Sequence, residues 1–445
     1  MATQKEKYID LPPSIWQLAW PSTIANLLLA SIGFIQIVMS SEYGSDATAA
    51  MTVSQRIFFL LQAALFGLSA GVSAIIARHI GADDKHKAAQ TFQSAMLLSF
   101  LTSIVLSVLC YQYAENLTQW FGMNADTKIL ATKLIRWICL FSPIYSVNII
   151  IAGSLRAGGD ALHPLLLAIV SSVGNGIGCY AFSTGSFGAP NLGVEGLIIG
   201  GVAGSVVSLF FYLVMWRKNR LLLPFPIKSE YRKKTMKLLR IGMPSAIEQM
   251  ILQIGFLIFT VAIASYGVDV LAAYGLGLNV LTLLLITSLA FSMSGAVVVG
   301  QYLGRGEPDK AYEKGWAAWR MCVTFMSLFG LIFFIFNYQI ATFLTSDETV
   351  RQYTAQFLVI IAISMPAIAT DFTIGGAIRG AGDTNYPLKI SLFTLLLVRV
   401  ILPFTFIYFQ LSFLTLFALT AADFFIKSYF MTRYFKSKRW QHTVI

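Results

Sequence analysis

Twelve apolar windows occupy most of this chain, at about residues 14–40, 50–79, 90–115, 132–153, 162–182, 191–215, 240–266, 272–300, 312–337, 352–377, 386–409 and 411–433. A helix needs about 20 apolar residues to cross a hydrocarbon core about 30 Å thick, whereas a barrel strand needs only about 10. Lipid offers no partner to an open backbone group, so windows of this length must close their own hydrogen bonds as helices. Charged residues make up 12% of the chain, about half the share in a soluble domain. The sequence therefore predicts an all-α membrane protein with twelve transmembrane helices.

The formal charge of +11 does not point to nucleic acid. Much of it lies in "RKNRLLLPFPIKSEYRKKTMK" (217–237) and in the tail "RYFKSKRWQH", next to spans. Basic residues in short loops mark the cytoplasmic side. "RHIGADDKHKAA" (78–89) and "LGRGEPDKAYEKG" (303–315) carry Lys and Arg, while "SSEYGSDATAA" (40–50) and "STGSFGAPNLGVEG" (183–196) carry no base. The two sets alternate, which puts both termini and the central loop in the cytoplasm of a plasma (inner) membrane protein. The polar start, "MATQKEKYIDLPPS", is followed by no short apolar region with a cleavage site, so no signal peptide is expected. Cys110, Cys139, Cys179 and Cys322 sit in apolar segments without paired spacing, which supports neither disulfides nor zinc.

The chain repeats itself at an offset of 223 residues. Pro21 falls on Pro244, Tyr43-Gly44 on Tyr266-Gly267, Asp46 on Asp269, Gly81 on Gly304, and Lys87-Ala88 on Lys310-Ala311. The longest match sets "SPIYSVNIIIAGSLRAGGDALHP" (142–164) on "MPAIATDFTIGGAIRGAGDTNYP" (365–387), pairing Pro143, Gly153, Arg156, Gly159, Asp160 and Pro164 with Pro366, Gly376, Arg379, Gly382, Asp383 and Pro387. Six spans per repeat is an even number, so both halves insert the same way round. They are expected to form two six-helix lobes related by a pseudo-twofold along the membrane normal, the layout of many secondary transporters. The expected boundaries are 1–215 for the N-terminal lobe, 216–239 for a basic linker, 240–433 for the C-terminal lobe and 434–445 for a basic tail. A twelve-helix membrane enzyme is the competing architecture, but no triad, H-E-x-x-H or P-loop supports it. The two Arg-Gly-Asp-Pro segments read either as hinges or as capped cytoplasmic turns.

Ionisable groups inside spans are costly and are functional candidates by default. Glu248 lies in span 7, Asp371 in span 10, Arg399 in span 11, and Asp423 and Lys427 in span 12. Glu248 and Asp371 each lie about 12 Å from the cytoplasmic end of their helix, at about 1.5 Å per residue. Two carboxylates at one depth could share a cation or hold a proton. Arg399 is the candidate charge partner that would instead neutralise Asp371. Asp423 and Lys427 are four apart, the spacing of an intrahelical pair.

The chain resembles the multidrug and toxic compound extrusion family. The resemblance rests on Pro21 and Pro244, on "ARHIGA" (77–82) and "VGQYLGRG" (299–306) at the ends of spans 2 and 8, and on the two Arg-Gly-Asp-Pro turns. It implies export of organic, often cationic compounds, driven by inward protons or sodium ions, with no organic cofactor. It also implies a protein that works as a monomer among membrane lipids. In the proton-coupled prokaryotic branch of that family an Asp is expected in span 1 and another in span 5. Those positions here are Gln36 and Cys179, the second aligned on Asn175 in "VGNGIGCYAF". The repeat mate of Asp371 is Asn148, also neutral. Gln36, Asn148, Asn175, Cys179 and Asn279 are thus expected as polar cavity residues. The coupling site moves to Glu248 and Asp371, which resembles the sodium-coupled branch and makes those acids a possible Na+ site. Related lipid-precursor flippases and a channel are the alternatives.

Overall fold

The computed structural model describes residues 12–119, 121, 123–218, 221 and 231–443, with backbone only over 231–235. The start of the chain up to residue 11 and the middle of the expected central linker, 219–220 and 222–230, fall outside these residues. Among the described residues, twelve helices are long and apolar enough to cross a membrane. They are α1 (Ile15–Tyr43), α2 (Ser45–Gly81), α3 (Lys85–Gln112), α4 (Ala125–Ala157), α5 (Leu162–Thr184), α6 (Gly193–Arg217), α7 (Met236–Ala264), α8 (Val268–Gly304), α9 (Pro308–Ile335), α10 (Glu348–Gly380), α11 (Asn385–Tyr408) and α12 (Phe413–Lys436).

Helix starts follow local chemistry. The side chains of Asp84, Asn124 and Asp347 accept backbone N–H groups from Lys87, Thr127 and Val350, at 2.9, 2.8 and 2.9 Å, which satisfies donors that a helix start leaves orphaned. Asn124 and Asp347 are repeat mates although the residues differ. The short helices Ala114–Gln119 and Asn337–Leu344 likewise begin at equivalent positions. The duplication thus extends to positions where sequence identity has been lost.

The Arg-Gly-Asp-Pro segments form capped turns. Gly159 and Gly382 take φ values of +100° and +92°, a region that glycine enters without Cβ strain. Asp160 and Asp383 then accept the N–H groups of His163 and Tyr386 at the start of the next helix, at 3.1 and 3.2 Å.

The described residues divide into two compact units. One comprises Trp20–Ile76 and Asp84–Arg240; the other comprises Ile241–Ile445, Ala77–Asp83 and the chain up to Ala19. In the first, α5 and α6 meet through a double small-residue motif, with Gly174 and Gly178 facing Gly204 and Gly200. A Cβ on Gly178 would collide with the Gly200 carbonyl, and one on Gly174 with the Gly204 Cα. Small residues at four-residue spacing let two membrane helices approach to backbone contact. Gly178→Val and Gly200→Val should each force these backbones apart and destabilise the protein by about 1–3 kcal/mol. The check is a lower unfolding temperature in detergent, with Gly176→Val as a control because a Cβ there meets nothing within 4 Å.

Candidate functional site

In the second unit, α10 packs along α8, α9 and α12. Its face carries Asp371, Gly375 and Arg379 at successive four-residue steps, so all three lie on one side of the helix. The Arg379 side chain folds back over Gly375, where an added Cβ would lie 3.3 Å from its Nη1. Arg379 Nη1 donates to Glu248 Oε1 of α7 at 2.8 Å, and Nη2 donates to Ser292 Oγ of α8 at 3.2 Å. Both partners of this ion pair are buried, at 11% and 5% side-chain exposure. The other carboxylate oxygen, Glu248 Oε2, is buried without a partner among the described residues.

A second ion cluster lies beside it. The helix of α11 widens to a π turn over Leu395–Ile401. Pro403 follows, and it has no N–H to give the carbonyl four residues back, that of Arg399. From this turn Arg399 donates through Nε and Nη2 to Asp423 Oδ2 of α12, at 3.1 and 2.8 Å. Lys427 Nζ reaches the same oxygen at 3.2 Å, so the four-residue spacing is realised as an intrahelical pair. The Arg399 guanidinium also lies over the rings of Phe256 and Phe259, at 4.9 and 5.0 Å. Arg399 is therefore a charge partner, but of Asp423 and not of Asp371. Asp423 sits one helix further along the chain, and the π turn aims the guanidinium at it.

Asp371 is left with no direct ion pair or hydrogen bond among the described residues. The charges acting on it are Lys427, Arg379, Glu248 and Asp423. The unit thus holds six interacting ionisable groups, Glu248, Asp371 and Asp423 against Arg379, Arg399 and Lys427. Five of them are tied in contact pairs and the sixth, Asp371, is not. No group of three or more His, Cys, Asp or Glu side chains that could hold a metal gathers among the described residues. Arg379 is the member that sequence reasoning misses, because its motif reads as a turn. Its signal was available: a carboxylate in span 7 requires a cation, and few bases lie inside spans.

In the first unit the polar residues singled out from the sequence are amides and a thiol. Gln36 Nε2 donates to the Leu197 carbonyl at 2.9 Å and lies 3.7 Å from Cys179 Sγ. Gln36 Oε1 accepts from Gln55 Nε2. The Cys179 thiol donates to the same Leu197 carbonyl at 3.1 Å. Gln36 and Cys179, singled out from spans 1 and 5, therefore meet, and Gln55 of α2 is an unforeseen third member. Asn148 donates to the carbonyls of Ile144 and Ser205. Asn175 is 1% exposed, and neither end of its amide has a hydrogen-bond partner among the described residues. Asn279 lies on an exposed position of α8.

Removing Gln36 would leave the Gln55 amide buried with its acceptor gone, at about 1–3 kcal/mol for a buried donor. Gln36→Ala should lower the unfolding temperature or weaken substrate binding while leaving ion coupling intact. Parallel thermal and transport assays check this, and complete loss of coupling would contradict it.

Comparison with known proteins is consistent along the whole chain. The family model MatE matches twice, over residues 21–181 and 244–405, and its two matches begin at the same 223-residue offset as the internal repeat. The protein named "Probable multidrug resistance protein NorM" from Thermotoga maritima is 24% identical over 444 residues, covering 99% of this chain and 96% of its own length. "Multidrug resistance protein NorM" of Burkholderia vietnamiensis is 27% identical over 395 residues, covering 85% and 83%. Among solved structures, a MOP superfamily transporter from Pyrococcus furiosus superposes with a TM-score of 0.89 at 19% identity, covering 98% of each chain. The MATE transporter VcmN of Vibrio cholerae superposes with a TM-score of 0.87 at 20% identity, covering 96% of this chain and 98% of its own. With a match to each repeat, relatives spanning nearly its full length and a shared twelve-helix fold, this multi-pass membrane protein belongs to the MatE family, the multidrug and toxic compound extrusion transporters.

Proposed function

We propose that this transporter exports organic, often cationic compounds by alternating access, in exchange for inward H+ or Na+. It would sit in the plasma membrane, work as a monomer and keep both termini in the cytoplasm, as the distribution of Lys and Arg among the loops suggests. The observation that carries the reading is Asp371, an intramembrane carboxylate without a contact partner, next to a cluster in which every other ionisable group is paired.

A carboxylate in this position favours a cation or a proton. Adding either one neutralises the one acid of the six-group cluster that has no contact pair among the described residues. A second acid, Glu248, offers its free Oε2 as a further ligand or proton acceptor. The remaining pairs, Glu248 with Arg379 and Asp423 with Arg399 and Lys427, would rearrange as the charge on Asp371 changes. A cationic substrate that depends on the same negative charge then competes with the coupling ion, which is the exchange an antiporter requires. A lipid-phosphate flippase calls instead for net positive charge at its working site, and the six groups here balance three against three.

The test is uptake of a fluorescent organic cation into proteoliposomes under an imposed sodium or proton gradient. Accumulation against the substrate gradient under one of the two supports the reading. Movement only down the substrate gradient, indifferent to both, identifies a channel and contradicts it.

A further inference from the structure

The two repeats treat their shared arginine differently. In the second unit Arg379 is neutralised by Glu248. Its repeat mate Arg156, near the end of α4, is equally buried, at 6% exposure. The residue equivalent to Glu248 is Ala25: "PSTIAN" (21–26) aligns with "PSAIEQ" (244–249) without a gap. The surrounding frame is duplicated too. Gly376 packs on Ser292 Oγ, and Gly153 packs on Ser69 Oγ, two glycines and two serines at the same offset. Only the carboxylate has gone.

Arg156 has no replacement for it. Its guanidinium makes no hydrogen bond or ion pair among the described residues, and Nε is buried without a partner. The buried Tyr212 phenol acts on it, and the Asp160 carboxylate, which acts on the same phenol, is held by His163 at 2.6 Å. Around position 25, Ser22 Oγ and Asn26 Nδ2 are also buried and without partners among the described residues. A guanidinium keeps its charge at any physiological pH and offers its N–H groups in a fork that matches a carboxylate or phosphate. If Arg156 follows the course that Arg379 takes to Glu248, hydroxyl, amide N–H and guanidinium are the donors at position 25, and such a set calls for an acceptor with several oxygens.

We propose that Arg156 and the Ala25 position of α1 form an oxyanion-binding site, in which an external phosphate or carboxylate group occupies the place that the Glu248 carboxylate fills in the other repeat. This goes beyond the ion-coupling reading and does not depend on it. Arg156 is the second-last residue of its helix, and the oxyanion is either a free solute or the phosphate of a lipid.

The test is thermal unfolding of the purified, delipidated full-length protein at constant ionic strength. One arm replaces chloride with inorganic phosphate. Another adds phosphatidylglycerol micelles, compared with a galactolipid that has no phosphate. The expected result is a rise of several degrees with phosphate, with phosphatidylglycerol or with both, but not with the galactolipid. A shift with phosphate identifies a solute site, and a shift with phosphatidylglycerol alone identifies a lipid site. Arg156→Met should abolish the response. Ala25→Glu, which restores the internal carboxylate, should abolish it while raising the starting temperature, whereas Ala25→Gln should not raise it. No phosphate-dependent shift in either arm, or the same shift in Ala25→Glu, overturns the proposal even if Arg156→Met fails to fold.

Discussion

Asp371→Asn is expected to lower ion-driven uphill export by at least about tenfold while leaving the protein folded. Asparagine keeps the size and hydrogen-bonding capacity of the side chain but cannot carry charge or take up a proton. Asp371 makes no contact pair among the described residues, so neutralising it breaks no salt bridge there, and the unfolding temperature should move little. That separation marks a coupling residue and not a structural one. Glu248→Gln should behave differently. It removes the carboxylate that neutralises Arg379, so it should reduce export and stability together. Measuring initial export rates alongside unfolding temperatures for the two variants distinguishes these roles. Equal loss of stability in both would assign Asp371 to structure.

The second large effect concerns Asp423. One carboxylate oxygen receives both Arg399 and Lys427. Removing one partner of a buried ion pair typically costs about 3–5 kcal/mol, because the remaining charge is stranded without water. Asp423→Ala strands two cations, so its cost should lie at or above that range. Most of the protein should then fail to reach a folded, monodisperse state. Lys427→Met added to Asp423→Ala removes one of the stranded charges, leaves Arg399 over its two phenylalanine rings and should recover part of the loss. A double variant no more stable than Asp423→Ala would show that the cluster is not governed by charge balance. The check is unfolding temperature and recovery from size exclusion.

Much of the fold was legible because a bilayer enforces it. Window length and charge poverty set twelve helices, and the offset of Pro21, Gly81, Arg156 and Asp160 from their mates set the duplication. Both are one-dimensional signals, one from thickness and one from inheritance. Partner choice among buried charges was less legible. Nothing in the spacing of Arg399 says whether it faces α10 or α12. The choice is made by a π turn upstream of Pro403, which rotates the side chain relative to a regular helix. Arg379 was hidden for another reason. Its motif reads as a turn, and only the bare Gly375 beneath it lets the side chain run back into the lobe toward Glu248. Gln36 and Cys179 are each marked by the family pattern, but Gln55 is not, and a lone amide in an apolar helix carries no sequence mark of its partner.

The coupling ion and a cationic substrate are expected to compete for the negative charge at Asp371. Ion release on substrate binding tests it most directly. Purified protein in weakly buffered detergent solution, loaded with sodium-22 or followed with a pH indicator, is titrated with an organic cation. Binding should release a proton or a sodium ion from the wild type and from Gln36→Ala, and neither from Asp371→Asn. Release of the same size from Asp371→Asn would contradict it.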